Sequence, residues 1–176
     1  MGWNKNKATV LAVLTVVLLL CNSCSVSMGF APISSIDYNK VKTISIVEFP
    51  NRADYVYAPM ATQFNQALKD LFTRQTRLRL VDSGGDLEID GEITGYNQYN
   101  ESVDASGYAS KVKVTMTISV SYINNTNHSE DFENKQFSAS QNYELPNLLT
   151  DVQDDLITKM VKDLTEQIFN STVANW

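Results

Sequence analysis

Histidine occurs once in the 176-residue chain and cysteine twice, and both cysteines fall within the first 24 residues. That scarcity excludes a zinc site built from several Cys and His side chains and leaves no disulfide framework beyond the N-terminus. Positive charge is also scarce. The 14 Lys and Arg stand against 20 Asp and Glu, a net charge of −6, which excludes a generally basic nucleic-acid binder, because such a protein must cluster cations to displace counterions from phosphate. There is no Walker loop and no dinucleotide glycine fingerprint, and Ser83-Gly84-Gly85 lacks the G-x-S-x-G order of a nucleophile elbow. What is present is 43% apolar residues, which at this length suits one folded domain rather than a disordered chain.

Residues 1–24 read as a separate unit. Lys5 and Lys7 precede an apolar stretch from Ala8 to Leu20, interrupted only by Thr9 and Thr15, and small and polar residues follow. This is the three-part pattern of a secretory leader. As a helix the apolar stretch would reach roughly 20 Å, short of the ~30 Å hydrocarbon core, so a membrane-spanning helix is the weaker reading. N-myristoylation at Gly2 wants Ser or Thr at the sixth position, where this chain has Asn6. Leu20, Ser23 and Cys24 resemble a bacterial lipobox, with cleavage before an acylated Cys24. Cys21, after three leucines, is the minor alternative, and a plain signal peptide is the bland one. The expected parts are a leader at 1–23, a lipidated N-terminus and tether at 24–40, and one domain at 41–176. Loss of Lys5 and Lys7 with the leader leaves 153 residues and moves the net charge from −6 to −8. Lasting membrane attachment then comes from more than one acyl chain.

In the folded part the apolar run Val41–Phe49, rich in β-branched residues, predicts a strand ending at Pro50-Asn51. Met60, Phe64, Ala67, Leu68, Leu71 and Phe72 recur at helical spacing after Pro59, which suits a first helical position, and Arg74 and Arg77 suit the C-terminal end of that helix. Leu78, Leu80 and Val81 predict a second strand and Asp82–Asp86 a turn. Leu87, Ile89, Gly91 and Ile93 then alternate with Glu88, Asp90 and Glu92. A loop at Tyr99–Gly107 should lead to the clearest strand, with Val112, Val114, Met116, Ile118, Val120 and Tyr122 inside and Lys111, Lys113, Thr115, Thr117 and Ser119 outside. In an antiparallel hairpin this places Lys111 and Lys113 opposite Glu92 and Thr94. Phe132 and Phe137 mark a last strand with a bulge or an edge position. Pro146 opens a second helix whose stripe is Leu149, Val152, Leu156, Met160, Leu164 and Ile168, with Asp151, Asp154 and Asp155 in its early turns and Asp155/Lys159, Lys159/Asp163 and Lys162/Glu166 as outer pairs. The order β-α-β-β-β-β-α is that of an α+β, two-layer sandwich, a mixed four- to five-stranded sheet with two helices on one face.

Little in this chain points to catalysis. His128 lies in a polar turn, the Glu88/Asp90/Glu92 stripe reads as the wet side of a strand rather than a metal site, and Asp154-Asp155 reads as helix N-terminal charge. No cysteine is left as nucleophile once Cys24 is acylated, and no cofactor beyond that covalent lipid is expected. The sequons at Asn100, Asn124, Asn127 and Asn170 read as exposed chain. These features favour a binding or assembly protein over an enzyme, and envelope-glycan chemistry would require His128 or Asp154.

The strings Ile36–Val81, Gly85–Asn97 and Leu148–Trp176, with the Cys24 leader, the TISI strand before FPNRA, the LTDVQD helix start and the terminal VANW, resemble the LptE family of lipopolysaccharide-assembly lipoproteins. The resemblance covers nearly all of the mature chain. It implies two helices against a mixed sheet behind a lipidated N-terminus. It also implies a plug in an LptD-type outer-membrane β-barrel that binds lipopolysaccharide at the last step of its transport, on the periplasmic face and in the barrel lumen. Ser25 after the anchor resembles the outer-membrane sorting signal. A ligand bearing phosphates needs a local basic cluster on a chain of this charge, and the candidates are Arg74, Arg77 and Arg79 around the second strand's start, with Lys111 and Lys113 on the hairpin. The rival reading is a periplasm-facing lipoprotein that activates a cell-wall synthase.

Overall fold

The computed structural model describes residues 36–55, 57–103 and 109–174. Five strands and two long helices follow one another as β1 (Thr43–Ile46), α1 (Ala58–Gln75), β2 (Arg79–Val81), β3 (Leu87–Val103), β4 (Ala109–Asn124), β5 (Phe132–Glu144) and α2 (Leu149–Thr172), with a short 3₁₀ turn at His128–Glu130. The order β-α-β-β-β-β-α and the α+β class are those read from the sequence. The sheet is open and mixed, in the order β2-β1-β3-β4-β5. β1 pairs parallel with both β2 and β3, and β3, β4 and β5 pair antiparallel.

β1 is shorter than the apolar run that forms it, because the chain leaves regular pairing before Pro50, which has no N–H to donate. It still tracks β3: Val47 N–H donates to the Ile89 carbonyl at 2.9 Å and Arg52 N–H to that of Ile93 at 2.8 Å. Phe49 on this segment is buried and meets Phe64 edge to face, centroids 5.2 Å apart. Asn65 of α1 pins the same loop, accepting from Phe49 N–H at 2.8 Å and donating to the Phe49 carbonyl at 3.1 Å.

One core holds the layers together. Ile44, Ile89, Ile93, Met116, Ile118 and Val120 from the sheet meet Met60, Phe64, Leu68 and Phe72 of α1 and Leu156, Met160, Leu164 and Ile168 of α2. Burying each such side chain contributes about 1.5–3 kcal/mol before the entropy of ordering it is counted. The buried face of α2 is wider than the predicted stripe. It takes in Ile157, Val161, Phe169 and the polar Gln153, Thr165 and Thr172, while Leu149 and Val152 are partly buried. That width follows from packing on β5 and on α1 together. The two helices run the same way: Tyr57 Oη donates to Asp154, Gln63 Nε2 donates to Thr158 Oγ1 at 2.8 Å, and the Phe72 and Phe169 rings are 5.2 Å apart.

Three local expectations are corrected. Pro59 is the second residue of α1, not the first, and Pro146 does not open α2, which starts three residues later. Residues 145–148 instead form a turn in which Asn147 N–H donates to the Glu144 carbonyl at 3.2 Å. Strand β3 continues to Val103 through the segment read as a loop. There Asn97, Gln98 and Asn100 lack apolar alternation, yet they keep their ladder partners on β4. β5 is an edge strand, as its odd Phe spacing suggested: Asn134 sits at φ 51° and the pairing with β4 slips between Val120 and Tyr122.

Candidate functional site

The sheet's two faces differ sharply in chemistry. Both helices lie on the apolar face, and no helix among the described residues covers the other. Across β4 and β5 that open face is lined by hydroxyls and amides: Thr115 pairs with Ser140 (Oγ1–Oγ 2.8 Å), Thr117 with Ser138 (3.1 Å), Ser119 lies opposite Gln136 and Lys113 opposite Asn142. On β3 it carries Glu88, Asp90 and Glu92; exposed Asp90 lies opposite Ser121, and the two glutamates have a neutral and a positive neighbour. Glu88 accepts from Asn125 Nδ2 at 2.9 Å, and Glu92 faces Arg52 at 4.0 Å. No group of three His, Cys, Asp or Glu positioned for a metal occurs among the described residues.

The basic candidates separate into two groups at opposite ends of the sheet. Arg74 closes the last turn of α1, and Arg77 and Arg79 lead into β2. Parallel pairing then brings in two residues that sequence reasoning missed. Arg79 N–H donates to the Lys42 carbonyl at 2.9 Å with Thr43 and Arg79 in register, so Lys40 and Lys42 at the entry to β1 join the arginines. The signal was a β-α-β unit with basic residues just before both strands, legible only once the strands are known to be neighbours. The Arg77 guanidinium lies 5.8 Å from the Tyr38 ring centroid.

Lys111 and Lys113 are far from that end. Ten residues of extended strand separate Lys113 from Ile123, about 34 Å. They do not face Glu92 and Thr94 as predicted, because the hairpin turns later than expected. Lys113 is paired with Tyr99 on β3 and Asn142 on β5, and Lys111 with Ser102 and Glu144. Around this far end stand Tyr55, stacked on Tyr96 at 5.5 Å, exposed Tyr99, and exposed Leu145 and Leu148. Burial pushes the Tyr96 phenol up to about 12.

The remaining candidates are accounted for locally. His128 Nδ1 lies 2.8 Å from Asp131 Oδ2 on an exposed turn, and Asp131 is held below the ordinary carboxylate range chiefly by the Asn124 N–H that it accepts at 2.7 Å. Asp154 accepts from Tyr57, whose hydroxyl is raised by that bond, and Asp155 pairs with Lys159 at 2.6 Å. The sequon residue Asn124 is buried, contrary to expectation, because its side chain ties the turn by accepting from Thr126 and Asn127 and donating to Glu130. Asn100, Asn127 and Asn170 are exposed. Cys24 and its alternative Cys21 lie outside the described residues. No helix among the described residues is long and apolar enough to cross a membrane.

The family model described as LptE, lipopolysaccharide-assembly, matches residues 41–172. The chain belongs to the LptE family. Solved structures similar to this LptE chain include the rare lipoprotein B from Shewanella oneidensis, 10% identical, with a TM-score of 0.52 over 74% of this chain and 92% of that one. Lipoprotein B from Nitrosomonas europaea is 13% identical, with a TM-score of 0.51 over 73% and 79%. A hypothetical protein from Chlamydia trachomatis is 9% identical, with a TM-score of 0.51 over 73% and 93%. At these identities the likeness is one of fold. Among curated proteins no sequence match was found.

Proposed function

We propose that this LptE-family chain is an outer-membrane lipoprotein, acylated on Cys24, that seats as a plug in an LptD-type β-barrel and takes part in delivering lipopolysaccharide to the outer membrane. The observation that carries the reading is the uncovered, hydroxyl- and amide-rich sheet face. The lumen of an outer-membrane barrel is polar, and a rigid sheet backed by two helices offers it hydrogen-bonding groups without exposing the apolar core. Family membership supplies the process, lipopolysaccharide assembly. The reading assigns no catalytic step and no cofactor besides the acyl group.

The two basic groups then have different jobs. Lys111 and Lys113, beside the aromatic far end, are assigned to lipopolysaccharide phosphates. Replacing both with Glu should weaken lipopolysaccharide binding about tenfold, the scale of two partly screened charge contacts, while circular dichroism stays unchanged; unaltered binding sinks the assignment. The partner is tested by affinity capture of the tagged full chain from detergent-solubilised outer membrane. An LptD-type barrel should co-purify in defined proportion, whereas recovery of a cell-wall synthase, or of no barrel, overturns the plug reading.

A further inference from the structure

Arg74, Arg77, Arg79, Lys40 and Lys42 form the second basic group, and none of them belongs to an ion pair among the described residues. Carboxylates share this end, and most are held by a hydrogen bond to a neighbouring amide. Asp86 accepts from the N–H groups of Lys42 and Thr43 at 2.8 and 2.9 Å, Asp37 from Asn39 N–H at 3.0 Å, and Glu130 from Asn124 Nδ2 at 2.8 Å. Asp82, exposed in the turn after β2, subtracts one charge. Asp70, one helical turn before Arg74, accepts from Gln66 Nε2 at 2.8 Å. The five exposed cations thus stand at one end of the molecule beside acidic neighbours, with which they form no ion pair among the described residues.

The chain enters the fold at this same end. Ile36 packs against the core, Tyr38 lies under Arg77, and the N–H groups of Lys40 and Val41 both donate to the Asp37 carbonyl at 2.9 Å, so the point of entry is fixed. Residues 25–35 include no charged residue. These eleven residues cannot carry Ile36 more than about 40 Å from Cys24. Acyl chains on Cys24 would keep the basic end within that reach of the leaflet they enter, while Lys111 and Lys113 lie about a strand length, roughly 34 Å, farther from the point of entry.

We infer that the surface formed by Lys40, Lys42, Arg74, Arg77 and Arg79 docks on the anionic phospholipid headgroups of the leaflet that holds the lipid anchor, and so sets the orientation of the protein on that membrane. The attraction is a short-range one, since charge interactions at a membrane surface fall off within a Debye length of about 8 Å at physiological salt. The anchor supplies proximity and the cations supply direction. This inference rests on acylation of Cys24, but not on the barrel partnership.

The test uses the full lipidated chain in vesicles of phosphatidylcholine, with or without a minor fraction of phosphatidylglycerol, containing headgroup-nitroxide quencher lipids. Both natural cysteines lie in the first 24 residues, so a thiol introduced as Asn39→Cys or, at the far end, Leu148→Cys takes a fluorophore selectively. The Asn39→Cys label should be quenched at least twofold more on phosphatidylglycerol vesicles than on neutral ones, and high salt or the combined Lys40→Gln, Lys42→Gln, Arg77→Gln and Arg79→Gln replacements should remove the difference. The Leu148→Cys label should be weakly quenched on both. Equal quenching of the Asn39→Cys label on the two vesicle types, or equal quenching at the two ends, overturns the docking surface. A chain that remains on neither vesicle type overturns it together with the acylation of Cys24, a result that vesicle flotation reads separately. Salt dependence on the otherwise unsubstituted protein decides the matter if the fourfold variant fails to fold.

Discussion

A methyl group at Gly91 would sit 2.1 Å from the Ser119 carbonyl oxygen and 2.5 Å from the Phe49 ring, and Gly91 has a φ of 159°. Any side chain there must push β4 or Phe49 out of place. Gly91→Ala should cost roughly 2–4 kcal/mol, in the range of overpacking with backbone displacement, read as a fall in the urea midpoint at unchanged slope. Asp86 makes a different kind of contribution. Its carboxylate gathers the β1 entry by accepting from Lys42 and Thr43, chiefly the Lys42 N–H, and those bonds lower its pKa. A depressed folded value means that its stabilisation is complete above the ordinary Asp range near pH 4 and is lost as pH falls through the folded value. Asp86→Asn should therefore lower stability at neutral pH by about 1–2 kcal/mol, discounted for partial exposure, and flatten the acid limb of stability against pH. Urea titrations between neutral and acid pH check both effects. Neither role shows in the sequence, where Gly91 is one member of an alternating strand and Asp86 one residue of a turn. The first depends on Phe49, 42 positions upstream in the chain, and the second on a bond across 44.

For whole elements, α2 carries much of the core. Leu164 is fully buried, and Leu164→Ala should cost about 2–5 kcal/mol through lost contact and the cavity left behind. Leu148, just before the helix, is 63% exposed, and its replacement by Ala should change stability by less than about 0.5 kcal/mol. Thermal unfolding of the two variants separates them. The existence of α1, α2 and β4 was legible because each repeats its apolar residues at one period for several turns or pleats. The end of the β3–β4 hairpin was not. Its distal residues Asn97–Val103 are mostly polar, with no apolar alternation, so nothing in their pattern distinguishes paired strand from loop, and the predicted partners of Lys111 and Lys113 were displaced accordingly.

On the scale of the molecule, every regular element except β2 and the 3₁₀ turn places a fully or nearly fully buried side chain in the same core. The described fold should unfold in one step, with far-ultraviolet dichroism and tyrosine fluorescence giving coincident urea transitions. Deleting 149–176 should leave no cooperative transition at all, because it strips the sheet of half of its cover. The layer architecture was readable from element order alone. The strand order was not, since a β-α-β unit fixes the parallel sense of β1 and β2 but neither that they are adjacent nor that β3 takes the opposite side of β1. For that reason Lys40 and Lys42 stayed out of the candidate site while Arg77 and Arg79 were in it.

The sheet's two edges bear on how copies of the chain would coexist if anchored to a leaflet as proposed. Proteins tethered to a leaflet diffuse in two dimensions at high local density, where an exposed sheet edge is an invitation to strand pairing between neighbours. One edge here is β2, only three residues long. The other, β5, is kinked by Asn134 and the register slip, and its remaining length is filled with Gln, Ser and Asn around Ala139 and Phe137. A neighbouring copy therefore meets one edge too short to pair with and another whose start is bent out of line, which disfavours the templating of a continuous sheet.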